Sequence, residues 1–131
     1  MNENKPCPFC NLEREKIFES ELSFAIYDGF PVNEGHALII PKRHKADYFD
    51  LSLVEQKDCI ELLNEIKAIV QEKYNPAGFN VGININEAAG QTVPHVHIHL
   101  IPRYHGDVEE PRGGVRGVIP NKQYYNPTTG K

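Results

Sequence analysis

Three histidines, His95, His97 and His99, alternate with Val96, Ile98 and Leu100 in the stretch QTVPHVHIHLIPR. The whole chain has six histidines, so half of them crowd into this one segment. On an extended strand every second side chain shares a face, which predicts a single row of imidazoles, neighbours roughly 7 Å apart. Such a row can be a set of partly buried polar residues with satisfied hydrogen bonds. It can be a metal site, since two histidines at i and i+2 reach one zinc and another residue joins from elsewhere. It can also do nucleophilic chemistry at phosphorus. Imidazole has an ordinary pKa of about 6.5, so near neutral pH it is a competent nucleophile, and flanking histidines can donate to phosphate oxygens as charge builds.

The preceding segment helps to choose. EAAGQT, residues 87–92, is a loop of small residues that can bring backbone N–H groups up to the histidines and cradle a phosphate. Gln91 adds an amide and Thr92 a hydroxyl. A pure metal site has no need of such a loop; a phosphoryl site does. The other reactive pair is Cys7 and Cys10 in CPFC, whose spacing in a reducing compartment suggests a metal half-site or a redox pair. Cys59 falls at an apolar position of a predicted helix and reads as a small buried hydrophobe.

These residues need positioning by regular elements. SFAIYDGF (23–30) reads as a strand ending in the Asp28-Gly29 turn, and GHALIIPK (35–42) as a second strand stopped by Pro41, so the two form a hairpin. Ser52 with Glu55 three residues on is a capping-box signal, and Cys59, Leu62, Leu63, Ile66, Ile69 and Val70 follow at helical spacing. The helix is expected to stop near Tyr74, before NPAG. GFNVGINI (78–85) alternates, with Val81, Ile83 and Ile85 on one face and Asn80, Gly82, Asn84 and Asn86 on the other. With the apolar faces of this strand and the histidine strand packed on the helix, both polar faces point away together, and Asn84 falls near the histidine row. After Arg103 the chain is rich in Gly and Pro with no period, which predicts an extended tail over 105–131, ordered only where it docks. His105 is expected on the surface.

Composition bounds the function. At 131 residues and a net charge of -4, one domain is expected, with no electrostatic case for nucleic-acid binding. No apolar run approaches the roughly 20 residues that span a bilayer, and MNENKPCPFC has no apolar core of a secretory signal, so no membrane partner and a cytoplasmic location are expected.

HVHIHLI resembles the His-x-His-x-His-x-x pattern of the histidine-triad (HIT) superfamily of nucleotide hydrolases and transferases. GHALIIPKRH is similar to that family's strand bearing a further histidine, and NINEAAGQTVPHVHIHLIPR to its phosphate loop with the triad. The likeness covers roughly residues 5–104. It implies an α+β HIT-like fold, an antiparallel half-barrel sheet packed with one long helix, paired as a two-fold dimer through the helix and a central strand. A HIT domain over 1–104 includes an N-terminal zinc-binding segment. The resemblance makes His97 the nucleophile toward an α-phosphate and His99 the partner of the phosphate and bridging oxygens. His36 becomes the histidine behind the nucleophile, and Asp28, eight residues earlier, the ribose ligand. Asn84 stands beside the phosphate, and Gln91 and Thr92 hold phosphate oxygens and the leaving group. Asp28-Gly29 is also an ordinary turn pair, and His36 could be a core histidine.

CPFC is similar to the zinc-bearing branch, where the first histidine of the motif ligates metal. On that likeness Cys7, Cys10, His44 and His95 form a structural zinc site. The implied substrate is a small purine nucleotide or dinucleotide, with no obligatory catalytic magnesium. A non-catalytic nucleotide sensor and a zinc-dependent hydrolase remain as alternatives. Arg112 and Arg116 in the tail either reach phosphates or are simply solvated.

Overall fold

The computed structural model describes residues 7–125. Five strands and one helix follow in the order β1 (Phe18–Glu19), β2 (Ser23–Tyr27), β3 (Ala37–Pro41), α1 (Leu53–Tyr74), β4 (Gly78–Ile83) and β5 (Ile98–Arg103). The strands build one open antiparallel sheet in the spatial order β1-β2-β3-β5-β4. This is the α+β arrangement of an antiparallel sheet with one long helix that the sequence predicts, and β2 and β3 form the expected hairpin.

Local chemistry sets the helix ends. The Ser52 hydroxyl accepts from the Glu55 N–H at 3.1 Å, and the Glu55 carboxylate accepts from the Ser52 N–H at 2.9 Å, a complete capping box. Arg43 clamps the same carboxylate with two bonds of 2.6 and 2.8 Å and draws its pKa down to about 2. Asn75, in the left-handed region at φ 50°, closes the C-terminus ahead of Pro76. One stripe, Cys59, Leu62, Ile66 and Val70, is at most 2% exposed and packs on Ala25, Ala37, Ile39, Ile98 and Leu100 of the sheet. Each large apolar side chain buried this way contributes about 1.5–3 kcal/mol.

The opposite sheet face carries a second cluster, Phe24, Ile26, Leu38 and Ile40, covered in part by Phe9 and Leu12 from the N-terminal segment. Covered on both faces, β2 is apolar from Phe24 to Ile26 and β3 is apolar throughout, whereas β5 carries His99 and Arg103 among its apolar residues. Cys59 is fully buried and burial pushes its thiol up to about 11, as befits a small core residue.

Three expectations need correction. The histidines do not form one row on a strand: β5 starts at Ile98, and His95 and His97 precede it, because His95 N–H turns back to the Val93 carbonyl and Val96 N–H bonds to that of Lys45. The apolar face of β4 is only half covered. Helix α1 lies over β2, β3 and β5, so on the edge strand Phe79 and Ile83 reach the core while Val81 is 47% exposed. The tail is not simply extended. Gly114–Val118 and Pro120–Lys122 are 3-10 turns, the first packed on β4, and only 126–131 of the expected tail lie outside the described residues.

Candidate active site

The histidines separate into two clusters. In the first, Cys7 Sγ lies 3.3 Å and Cys10 Sγ 3.6 Å from His95 Nδ1, while His44 Nδ1 stands 3.1 Å from His95 Nδ1 and 3.2 Å from Cys10 Sγ. One ligating atom from each residue falls within 4.8 Å of all the others. His95 is fully buried, and its Nε2–H donates to the Pro41 carbonyl at 2.7 Å, so Nδ1 keeps its lone pair for the cluster. Two sulfurs and two imidazole nitrogens suit a tetrahedral zinc ion.

In the second cluster, β3 and β5 lie side by side with Leu38 paired to His99. His36, just before β3, is delivered there by Gly35 at φ 90°, where a Cβ would come within 2.8 Å of the Tyr74 ring. The Val32 N–H donates to His36 Nδ1 at 3.1 Å. The neutral ring therefore carries its hydrogen on Nε2, which lies 3.0 Å from His99 Nδ1 and 3.4 Å from Asp28 Oδ2. His99, accepting at Nδ1, then presents Nε2–H. Burial, joined by His97 and His36, lowers the His99 pKa to about 4; burial also lowers that of His36 against the pull of the Asp28 carboxylate. Both rings are neutral at pH 7.

His97 joins this cluster with its ring centroid 5.2 Å from that of His99. Its Nδ1 lies 2.8 Å from the carbonyl oxygen of His95 and must donate to it, so the Nε2 lone pair is free. A cavity of about 500 Å³ opens here, with Phe9, Ile26, Asp28, Asn84, Thr92 and His97 on its wall. Asp28 serves the turn and the cavity together: Oδ1 accepts from the Phe30 N–H at 2.8 Å, and the residue lines the cavity.

The tertiary structure gives Gln91 a role the sequence did not suggest. Both its amide hydrogens are engaged, by the carbonyls of Ala46 at 2.8 Å and Val93 at 3.0 Å, and its oxygen accepts from the Asn86 N–H at 2.8 Å. It is 3% exposed and braces the loop; no donor is left for a ligand. The N–H groups of Ala89, Gly90 and Gln91 also bond within the loop. Thr92 is exposed at the cavity, and His105 is a surface residue.

Residues 11–106 match the HIT domain family. The chain belongs to the HIT family. A Dictyostelium discoideum protein named bis(5'-adenosyl)-triphosphatase is 38% identical over 119 residues, covering 91% of this chain and 73% of that one. The crystal structure of a HIT family protein from Bacillus anthracis superposes with a TM-score of 0.73 at 39% identity, over 77% of this chain and 75% of that one. A zinc-bound histidine-triad protein from Mycobacterium smegmatis gives a TM-score of 0.67 at 31% identity, over 82% and 73% of the two chains.

Three contributors to this HIT site carry no signal in the sequence. Phe9 stands between the two cysteines, and its ring meets those of His95 and His97 at 5.9 and 5.2 Å. Val32 acts through its backbone alone. Arg14 donates to the Tyr27 carbonyl and lines the cavity beside Asp28. Only Phe9 lies inside a sequence motif, CPFC.

Proposed function

We propose that this protein is a nucleotide hydrolase or transferase acting at the α-phosphorus of nucleoside phosphoramidates, phosphoanhydrides or dinucleoside polyphosphates. The observation that carries this reading is the bond from His97 Nδ1–H to the His95 carbonyl, which leaves Nε2 as a fixed, unprotonated nucleophile at the cavity. Nε2 attacks phosphorus, an N–P bond forms, and the bond to the leaving group breaks. The relay from Val32 through His36 to His99 aims a hydrogen at the phosphate and bridging oxygens, where one such donor contributes about 2.7–4 kcal/mol to the transition state. Water then displaces His97 and releases a nucleoside monophosphate. Asp28 receives the ribose hydroxyls, with Asn84 and Thr92 at the phosphate. The relative named as a bis(5'-adenosyl)-triphosphatase supports a dinucleoside polyphosphate as substrate.

Cys7, Cys10, His44 and His95 hold a structural zinc ion in this reading, supported by the donor set and by the zinc-bound relative. The ion's contribution is to fix the CPFC turn, and with it Phe9 and the His95 backbone, against the nucleophile. We also take the protein to be a cytoplasmic homodimer. Val81 at the sheet edge and Ile60 on α1 are exposed apolar side chains that a partner would cover, and among the described residues no helix is long and apolar enough to cross a membrane.

The test is an alkaline rapid quench during turnover of a nucleoside phosphoramidate, followed by intact-protein mass spectrometry and peptide mapping. A nucleoside-monophosphate adduct on His97, stable to base and labile to acid, is the expected result. Turnover with no adduct in any quench interval, from an enzyme that a chelator silences at once, would replace this mechanism with metal-activated water.

A further inference from the structure

We infer that Arg14 selects the base of the nucleotide: its guanidinium donates to the edge of a 6-oxopurine, guanine or hypoxanthine, at the end of the cavity away from His97 and His99. Arg14 is the one arginine or lysine on the wall of this cavity of about 500 Å³ among the described residues. The assignment rests on the nucleotide reading of the cavity and adds to it a choice among purines.

Strand pairing sets the distances. His99 on β5 pairs with Leu38 on β3, and Leu38 pairs with Ile26 on β2. Residues directly opposite on neighbouring strands share a face, so these three side chains line up across the sheet, and all three line the cavity. Strands lie about 4.8 Å apart, which puts Ile26 roughly 10 Å from His99. A phosphate held at His97 and His99, with the ribose at Asp28, leaves the base over Leu38 and Ile26. Phe9 and Leu12 of the N-terminal segment border that apolar floor.

Arg14 stands at the far end of this line. It donates through Nη2 to the carbonyl of Tyr27, the residue after Ile26. Its Nη1 lies 3.6 Å from where a Cβ on Gly29 would be, so the guanidinium rests against the Asp28-Gly29 turn. Among the described residues the Tyr27 bond is the one hydrogen bond that Arg14 makes, and no ion pair joins it to Asp28, the one carboxylate on the cavity wall. Arginine carries several N–H donors in a planar fork, and those not spent on Tyr27 remain for a ligand.

A group that only donates discriminates between purines. Guanine and hypoxanthine present O6 beside N7, two acceptors that match the guanidinium fork. Adenine has an amino group in place of O6, which would meet the guanidinium donor to donor. Contact with the apolar floor is common to all three bases; the bonds to Arg14 are not. The separation of two strands from His99 also keeps this cation away from the α-phosphate, so it acts on the choice of base and not on the reacting atoms.

Calorimetry with GMP, IMP and AMP tests the assignment. The wild type should bind GMP and IMP about tenfold more tightly than AMP, the low end for hydrogen bonds to a charged group, because Arg14 is exposed to water. Arg14→Met keeps an unbranched stem and removes the donors. It should bring the three affinities close together, with AMP losing far less than GMP or IMP. Arg14→Lys should restore part of the preference, since an ammonium still donates to O6. Melting curves verify the fold of each variant. Equal affinities in the wild type, a preference for GMP that IMP does not share, a preference kept by Arg14→Met, or an equal loss for all three nucleotides would overturn the role. Binding of nucleoside monophosphates stands apart from turnover: the expected preference in a protein that forms no His97 adduct retires the hydrolase reading and leaves Arg14 in its role.

Discussion

The two histidine clusters use similar residues for opposite ends. Around Cys7, Cys10, His44 and His95, hydrogens face away and lone pairs converge: His95 gives its Nε2–H to the Pro41 carbonyl and turns Nδ1 inward. Around Asp28, His36 and His99 the ligating atoms are also close together, yet a backbone N–H holds His36 Nδ1 as an acceptor. A metal on His36 Nε2 would force the ring hydrogen to Nδ1, facing the Val32 N–H donor to donor. Proximity of His, Cys and carboxylate atoms does not by itself make a metal site. The partner of the outward ring nitrogen decides whether a cluster holds a cation or passes a hydrogen toward an anion. His95 belongs to both clusters, its ring to one and its carbonyl to the other.

The sharpest way to break this contrast is at His97, the proposed nucleophile. His97→Ala is expected to lower kcat by roughly four to six orders of magnitude while leaving nucleotide binding largely in place, measured by single-turnover kinetics and calorimetry. A near-wild-type rate would move the chemistry to the cluster of Cys7, Cys10, His44 and His95. Next comes Cys7→Ser or Cys10→Ser. Reduced, untagged protein should carry about one zinc per chain by elemental analysis. Either substitution should remove the zinc and more than about 4 kcal/mol of stability, read by denaturant melts. Active, fully reduced wild-type protein free of metal would end the distinction between the clusters.

A smaller effect is expected at the relay. His99→Gln should slow kcat about 10²–10³-fold with the His97 adduct still forming, since in the proposed mechanism His99 stabilises charge and makes no covalent bond. The smallest effect is on stability against pH. His99 titrates at about 4 in the folded protein, below the ordinary 6.5 of an unfolded histidine, so the unfolded chain binds more protons between these values. Stability is then full above about pH 6.5 and falls as pH drops toward 4, by at most about 2 kcal/mol for a ring that keeps some solvent contact. Urea melts across this window should show a shallower decline in His99→Gln.

Much of the frame was legible because its signals are local. The capping box at Ser52 and Glu55, the helical stripe from Cys59 to Val70 and the Asn80-Gly82 face of β4 each depend on residues a few positions apart. Gln91 is hard to read for the opposite reason. Its type and place beside the histidines suit a ligand contact, but the Ala46 carbonyl, 45 residues away, takes one of its hydrogens. The tail leaves no such signal, because its order comes from the positive φ of Gly106, Gly113 and Gly114 and from Arg112 and Arg116 lying over Tyr124 and Tyr125, none of which has a period.

The sequence by itself determined which side chains are present for chemistry and which strands and helix carry them, since strand alternation, helical spacing and caps are properties of neighbouring residues. Tertiary structure alone decided what each imidazole can do. A neutral histidine has one hydrogen and two nitrogens, and the choice between them belongs to whatever faces the ring: the Pro41 carbonyl for His95, the Val32 N–H for His36, and His36 itself for His99. Two of these partners lie 54 and 63 residues away along the chain. Spacing in the sequence cannot encode such a meeting, because it is the packing of β3 against β5 that brings it about.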